Sequence, residues 1–188
     1  MIFNPDIHHR RSIRLKAHDY SQIGAYFVSL CAQDRVCLFG EITDGKMEPN
    51  NAGRMIARWW AELNRKFPTV ETDEYVVMPN HFHGIVVIIG YPDPVGAALR
   101  GRPQKAGHPH RGAPTLGDIM DWFKTMTTND YLRGIKQHGW LPFHGKLWQR
   151  NYYERVVRDD AEMHRVREYI TENPARWLED EENPDNSI

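Results

Sequence analysis

Apolar and polar positions alternate in blocks along this chain, and the period changes from block to block. Gly24–Ala32 (GAYFVSLCA) and Val36–Thr43 (VCLFGEIT) read as strands. Asp44-Gly45 is a hairpin turn signal, and Lys46–Pro49 is a short third strand. Across Asn51–Phe67 the apolar residues Met55, Ile56, Trp59, Trp60 and Leu63 take the spacing of an amphipathic helix. Glu74–Met78 and His81–Ile89 are extended segments around Pro79-Asn80. A second helix is expected over Thr115–Gly134, with Thr115 as N-cap and Leu116, Ile119, Trp122, Phe123 and Met126 on one face. Trp148–Arg158 mixes aromatic and β-branched residues and reads as a strand. Asp159–Asn173 is a last helix, capped by Asp159 or Asp160 and stopped by Pro174. Strands separated by long helices predict a single α+β domain: an antiparallel sheet with helices on one face.

Composition divides the chain further. Residues 1–22 form a basic arm, 23–177 the domain, and 178–188 an acidic tail expected to lack fixed structure from Glu179 on. Within the domain, 91–114 is a long Gly/Pro-rich basic loop, of the kind that is functional or unstructured. The 188 residues carry a net charge of −1, which names no partner. Its distribution says more: Val95–Arg150 holds nine Lys/Arg against three Asp, whereas Asp159 to the end holds ten acids against three Arg. Basic segments with interleaved aromatics suit a phosphate backbone. Cys31 and Cys37 have no C-x-x-C spacing and read as reduced thiols of a cytoplasmic protein. The first residues lack the apolar core of a signal peptide, and no apolar run reaches the ~18–20 residues of a membrane span, so no membrane partner is expected.

His81-Phe82-His83 is the most informative triplet. Residues two apart on a strand share a face, so His81 and His83 project side by side while Phe82 turns into the core. Two neutral imidazoles on a rigid strand are a ready pair of metal ligands, although the same pattern also fits two unconnected histidines on a polar face. In the last helix, Tyr169 and Asn173 stand one turn apart on one face, where a tyrosine and a carboxamide can be presented together. Packing and helix termination explain the same two residues more simply.

Three segments in order change the balance: Met78-Pro79-Asn80-His81-Phe82-His83, Trp148-Gln149-Arg150-Asn151-Tyr152-Tyr153-Glu154-Arg155-Val156-Val157-Arg158, and Tyr169-Ile170-Thr171-Glu172-Asn173-Pro174. With Arg10-Arg11-Ser12-Ile13-Arg14-Leu15 they make the chain resemble the single-tyrosine transposases of the HUH nuclease superfamily, most closely the REP-associated tyrosine transposase-like group. The resemblance spans most of residues 10–177. It implies an RRM-like or ferredoxin-like sheet and a metal-dependent endonuclease and strand transferase acting on single-stranded DNA with hairpin or palindromic sequence. It further implies His81, His83 and Asn173 as ligands of Mg2+ or Mn2+, and Tyr169 as the nucleophile that forms a 5′-phosphotyrosine. A nucleoid-associated protein, monomer or homodimer, is the corresponding expectation.

A phenol of pKa about 10 is almost wholly protonated at neutral pH, so Tyr169 needs a cation or a base, and no dedicated base emerges from the sequence. Candidates for DNA contact are Arg10, Arg11 and Arg14 in the arm and Lys124, Arg133, Lys146 and Arg150 beyond it; ordinary surface charge is the simpler account of each. Tyr152 and Tyr153 are rival nucleophiles without a carboxamide one turn away, better suited to packing or to stacking on a base. His108, His110, His138 and His144 have no ligand spacing to the pair. A (β/α)8 barrel hydrolase needs about 250 residues. A histidine-triad hydrolase would want a histidine where Ile85 stands. The remaining alternative is a noncatalytic DNA-hairpin-binding protein or repressor on the same fold.

Overall fold

The computed structural model describes residues 22–90 and 114–186. Four antiparallel strands form the main sheet: β1 (Gly24–Cys31), β4 (Val70–Val77), β5 (His81–Ile88) and β6 (Tyr153–Val157), in the order β4-β5-β1-β6. A second ladder pairs β2 (Gly40–Thr43) with β3 (Lys46–Pro49). Asp44 and Gly45 join them with φ of 51° and 70°, the left-handed pair that matches hairpin twist. The helices are α1 (Asn51–Ala61), the short α2 (Leu63–Lys66), α3 (Leu116–His138) and α4 (Asp160–Glu172). With β1-α1-β4-β5-α3-β6 as its frame, the sheet is the ferredoxin-like β-α-β-β-α-β arrangement, and β5 lies inside it.

Alternation along the strands feeds two separate cores. Tyr26, Val28, Leu30, Phe82, Val86 and Ile88 face one side, where they pack with Met55, Ile56 and Trp60 of α1 and Ile119, Met120 and Phe123 of α3. Gly84 belongs to that side, and a Cβ on it would lie 2.6 Å from the Trp60 ring, so its bare backbone lets α1 sit close. Phe27, Ile85 and Val157 face the other side and pack with Ile170, Met163 and Val166 of α4. Thus α1 and α3 share one face as expected, and α4 adds a layer on the opposite face, which carries the histidines.

Element ends differ from the periodicity in explicable ways. The extended stretch before β6 is shorter than Trp148–Arg158: Trp148 makes a single bridge to Ala32, and Lys124 Nζ then takes the Gln149 and Arg150 carbonyls at 2.8 and 2.9 Å in place of a strand partner. Val36–Phe39 likewise stays outside the β2 ladder, with Phe39 N–H bonded to Pro79 O at 2.9 Å. The helix expected through Phe67 breaks at Glu62, and α2 returns Leu63 to the core. A Thr115–Asp118 capping box opens α3, which continues beyond Gly134 to a left-handed Gly139 (φ 66°). Asp159, not Asp160, caps α4, accepting from Glu162 N–H at 2.7 Å. Residues 180–186, expected to be free, fold back against the sheet. Among the described residues no helix is long and apolar enough to cross a membrane.

Candidate metal and nucleophile site

β5 and α4 bring together the four residues singled out by pattern. His81 and His83 stand two apart on the central strand, ring centroids 4.6 Å apart, and both are buried. Asn173 is the C-cap of α4 and is buried, with Oδ1 3.3 Å from His81 Nε2. One turn earlier, the Tyr169 hydroxyl lies 3.5 Å from His83 Nε2, at the outer limit of a hydrogen bond.

The hydrogen-bond pattern fixes the histidine chemistry. Asn80 is fully buried, and its Nδ2 donates to Arg35 O at 2.9 Å and Glu182 O at 2.7 Å. That pins the amide orientation, so Asn80 Oδ1 accepts from His81 Nδ1 at 2.9 Å. His81 Nε2 therefore presents a lone pair, and it faces Asn173 Oδ1 and, at 3.8 Å, Asp180 Oδ2. Burial outweighs the Asp180 carboxylate and holds the His81 pKa below the ordinary imidazole value. Burial, and then His81 beside it, hold His83 well below it. Both rings are thus neutral at pH 7, the form that binds metal.

Asp180 completes the cluster: ligand atoms of His81, His83 and Asp180 all lie within 4.8 Å of one another. His83 Nδ1 is buried without a hydrogen-bond partner, and acceptor atoms of two residues, Asn173 and Asp180, converge on His81 Nε2. A cation relieves that arrangement, and two neutral imidazoles, a carboxylate and a carboxamide suit a divalent one. Tyr169 itself is pushed up, first by burial and then by Asp180, while its hydrogen bond to Asn173 works the other way. The surrounding cleft, of about 790 Å³, is lined also by Phe27, Ser29, Tyr153, Arg155, Arg165 and Arg176.

No protein-family model matches the chain. An uncharacterized protein of Haemophilus influenzae is 36% identical over 187 residues, covering 95% of this chain and 96% of that one. The chain belongs to the same family as that protein. Among solved structures, a REP-associated tyrosine transposase bound to a REP hairpin is similar with a TM-score of 0.55 and 16% identity, over 87% of this chain and 74% of that one. This chain has the REP-associated tyrosine transposase fold.

Within that transposase fold the other expected residues are scattered. Lys124 is engaged with the Gln149 and Arg150 carbonyls, and Arg133 pairs with Asp130 at 3.1 Å. Lys146 and Arg150 are exposed, and neither lines the cleft. Arg10, Arg11 and Arg14, His108 and His110, and loop residues 91–113 lie outside the described residues. Tyr152 is buried in the helix-side core, whereas Tyr153 is exposed in the cleft. Sequence reasoning missed Asn80 and Asp180, whose roles depend on chain folding back from far away. It also missed Arg165, which extends the Tyr169–Asn173 row by one turn and was open to the same spacing argument.

Proposed function

We propose that this protein is a metal-dependent single-stranded DNA endonuclease and strand transferase, a transposase acting at hairpin or palindromic DNA through a 5′-phosphotyrosine. The observation that carries this reading is the convergence of Tyr169, His83, Asn173 and Asp180 on one open cleft, with the buried His81 ring against Asn173 and Asp180. A hairpin ligand is supported by the hairpin-bound transposase that shares the fold.

His81, His83 and Asp180, with Asn173, would hold the divalent ion, Mg2+ or Mn2+; the nitrogen ligands favour Mn2+. Bound there, the ion supplies Lewis-acid polarisation of the scissile phosphate. Tyr169 Oη attacks phosphorus and loses its proton. The bond from phosphorus to the 3′ oxygen breaks, and that oxygen leaves as a hydroxyl after taking up a proton. The 5′ phosphate stays on Tyr169 until another strand's 3′-hydroxyl reverses the step, which joins DNA rather than hydrolysing it. Asn173 orients the phenol, and the α4–sheet packing holds Tyr169 at its distance from the histidines. In this reading the nucleophile and the ligands act together in a monomer or a homodimer. The noncatalytic alternative draws on the acidic wall of Asp180, Glu181 and Glu182, which disfavours both phenolate and phosphate.

A covalent trapping assay decides between them. The protein is incubated with Mn2+ and labelled single-stranded DNA carrying the palindromes that flank its own gene, then run on a denaturing gel. The expected result is a metal-dependent protein–DNA band that disappears in Tyr169→Phe and His81→Ala. A band surviving Tyr169→Phe moves the nucleophile to Tyr153 or Tyr152. Hairpin binding without any adduct establishes the noncatalytic reading.

A further inference from the structure

The cleft continues past the histidine cluster to the sheet edge, and its features there are not used by the chemistry above. In register, Tyr153 of β6 stands opposite Ser29 of β1, and Ser29 stands opposite His83 of β5. The three therefore form one row across three strands, on the face that carries the site. With strands about 4.8 Å apart, Tyr153 stands roughly 10 Å from His83, backbone to backbone. Phe27 fills the space between. Its ring stacks with His83 at 5.5 Å and meets the rings of Tyr169 at 5.9 Å and Tyr153 at 6.2 Å edge-on. Phe27 is buried, so it offers no face of its own, while Tyr153 is 53% exposed.

The other wall of this end is α4. Arg165 lies four residues before Tyr169, on the same helical face one turn away, and lines the same cleft. Neighbouring guanidinium groups are engaged: Arg155 with Glu162, Arg167 with Asp73, Arg176 with Glu172. Arg165 has no ion-pair partner among the described residues. Glu179, Asp180, Glu181 and Glu182 line the cleft as well, so a phosphate backbone entering it is repelled by the acids and drawn toward Arg165.

We propose that Tyr153 and Arg165 form a nucleotide subsite beside the scissile phosphate, the Tyr153 ring stacking on the flanking base and the Arg165 guanidinium binding the adjoining phosphate. The proposal rests on the single-stranded DNA reading given above. It fits the chemistry of an RRM-like sheet, whose face-exposed aromatics stack on unpaired bases.

The test uses the full-length protein, Mn2+ and the same labelled palindrome DNA, and reads the DNA concentration that half-saturates covalent adduct formation. Tyr153→Ala should raise it about tenfold, the scale of one base–aromatic stack, whereas Tyr153→Phe stays near wild type. An abasic nucleotide beside the cleaved linkage should weaken the wild type by a similar factor and Tyr153→Ala no further. Arg165→Ala should show the same non-additivity with a methylphosphonate at the adjoining linkage. If substitution and DNA modification multiply, or Tyr153→Ala matches the wild type, the subsite is overturned while cleavage by Tyr169 stands. A wild type that forms no adduct overturns the cleavage reading and the subsite with it.

Discussion

Asn80 holds its place through three contacts at once, and two of them reach across the sequence to Arg35 and Glu182. Because those carbonyls can only accept, the amide cannot flip, and His81 must carry its proton on Nδ1. Second-layer hydrogen bonds of this type orient a ligand ring, and losing one typically costs about 10–100-fold in metal affinity. Asn80→Ala is expected to weaken Mn2+ binding by that order, measured by isothermal titration calorimetry on metal-free protein. In the imidazole nitrogen NMR spectrum, the His81 tautomer should also become mixed. An unchanged spectrum with unchanged affinity would mean the ring is set by packing alone. The histidine pair was legible from the sequence because strand alternation is local. Asn80 was not, since its acceptors lie 45 and 102 residues away.

The last helix illustrates the same division one level up. Its start at Asp159, its stop near Pro174 and the shared face of Tyr169 and Asn173 follow from short-range rules. Its docking on the histidine face does not, because that depends on which core receives Ile170, Met163 and Val166. A forked polar tie joins it to the sheet edge: Arg167 reaches Asp73 of β4, Nε to Oδ1 at 2.7 Å and Nη2 to Oδ2 at 2.6 Å. The Arg167 hydrogen bond holds the Asp73 carboxyl below its ordinary value of 3.8. A carboxyl depressed in the folded state stabilises above its unfolded pKa, and that contribution fades as pH falls through the folded pKa. The pair is partly solvated, so Arg167→Ala should cost no more than about 1 kcal/mol at pH 7. Urea midpoints of the two proteins should converge as the pH is lowered below 3.8. A gap that stays constant with pH would assign the effect to the arginine stem packing instead.

At the scale of the whole molecule, the largest departure from sequence expectation is the acidic C-terminal segment. A run of acids reads as solvated because each carboxylate prefers water unless it meets partners, and the partners here come from three other parts of the chain. Glu182 meets Arg35 Nε at 2.9 Å and Cys31 Sγ at 3.1 Å, its carbonyl takes Asn80, and Asp180 reaches His81. The segment therefore closes one side of the cleft and covers a thiol on the strand beside the histidines. Burial, followed by the Glu182 carboxylate, pushes the Cys31 thiol far above its usual value, so it should react slowly with thiol reagents. Truncation after Glu179 removes the Glu182 carboxylate and uncovers the thiol on that side. In a Cys37→Ser background, Cys31 labelling by iodoacetamide should then accelerate by about tenfold or more, the effect of at least one pKa unit on the thiolate fraction. Mn2+ should slow labelling of the full-length protein further, because an Asp180 carboxylate engaged by the ion keeps the segment seated. It should leave the truncated protein unaffected. Equal rates in the two proteins would show that the segment does not cover Cys31 in solution, and would remove Asp180 from the ligand set along with it.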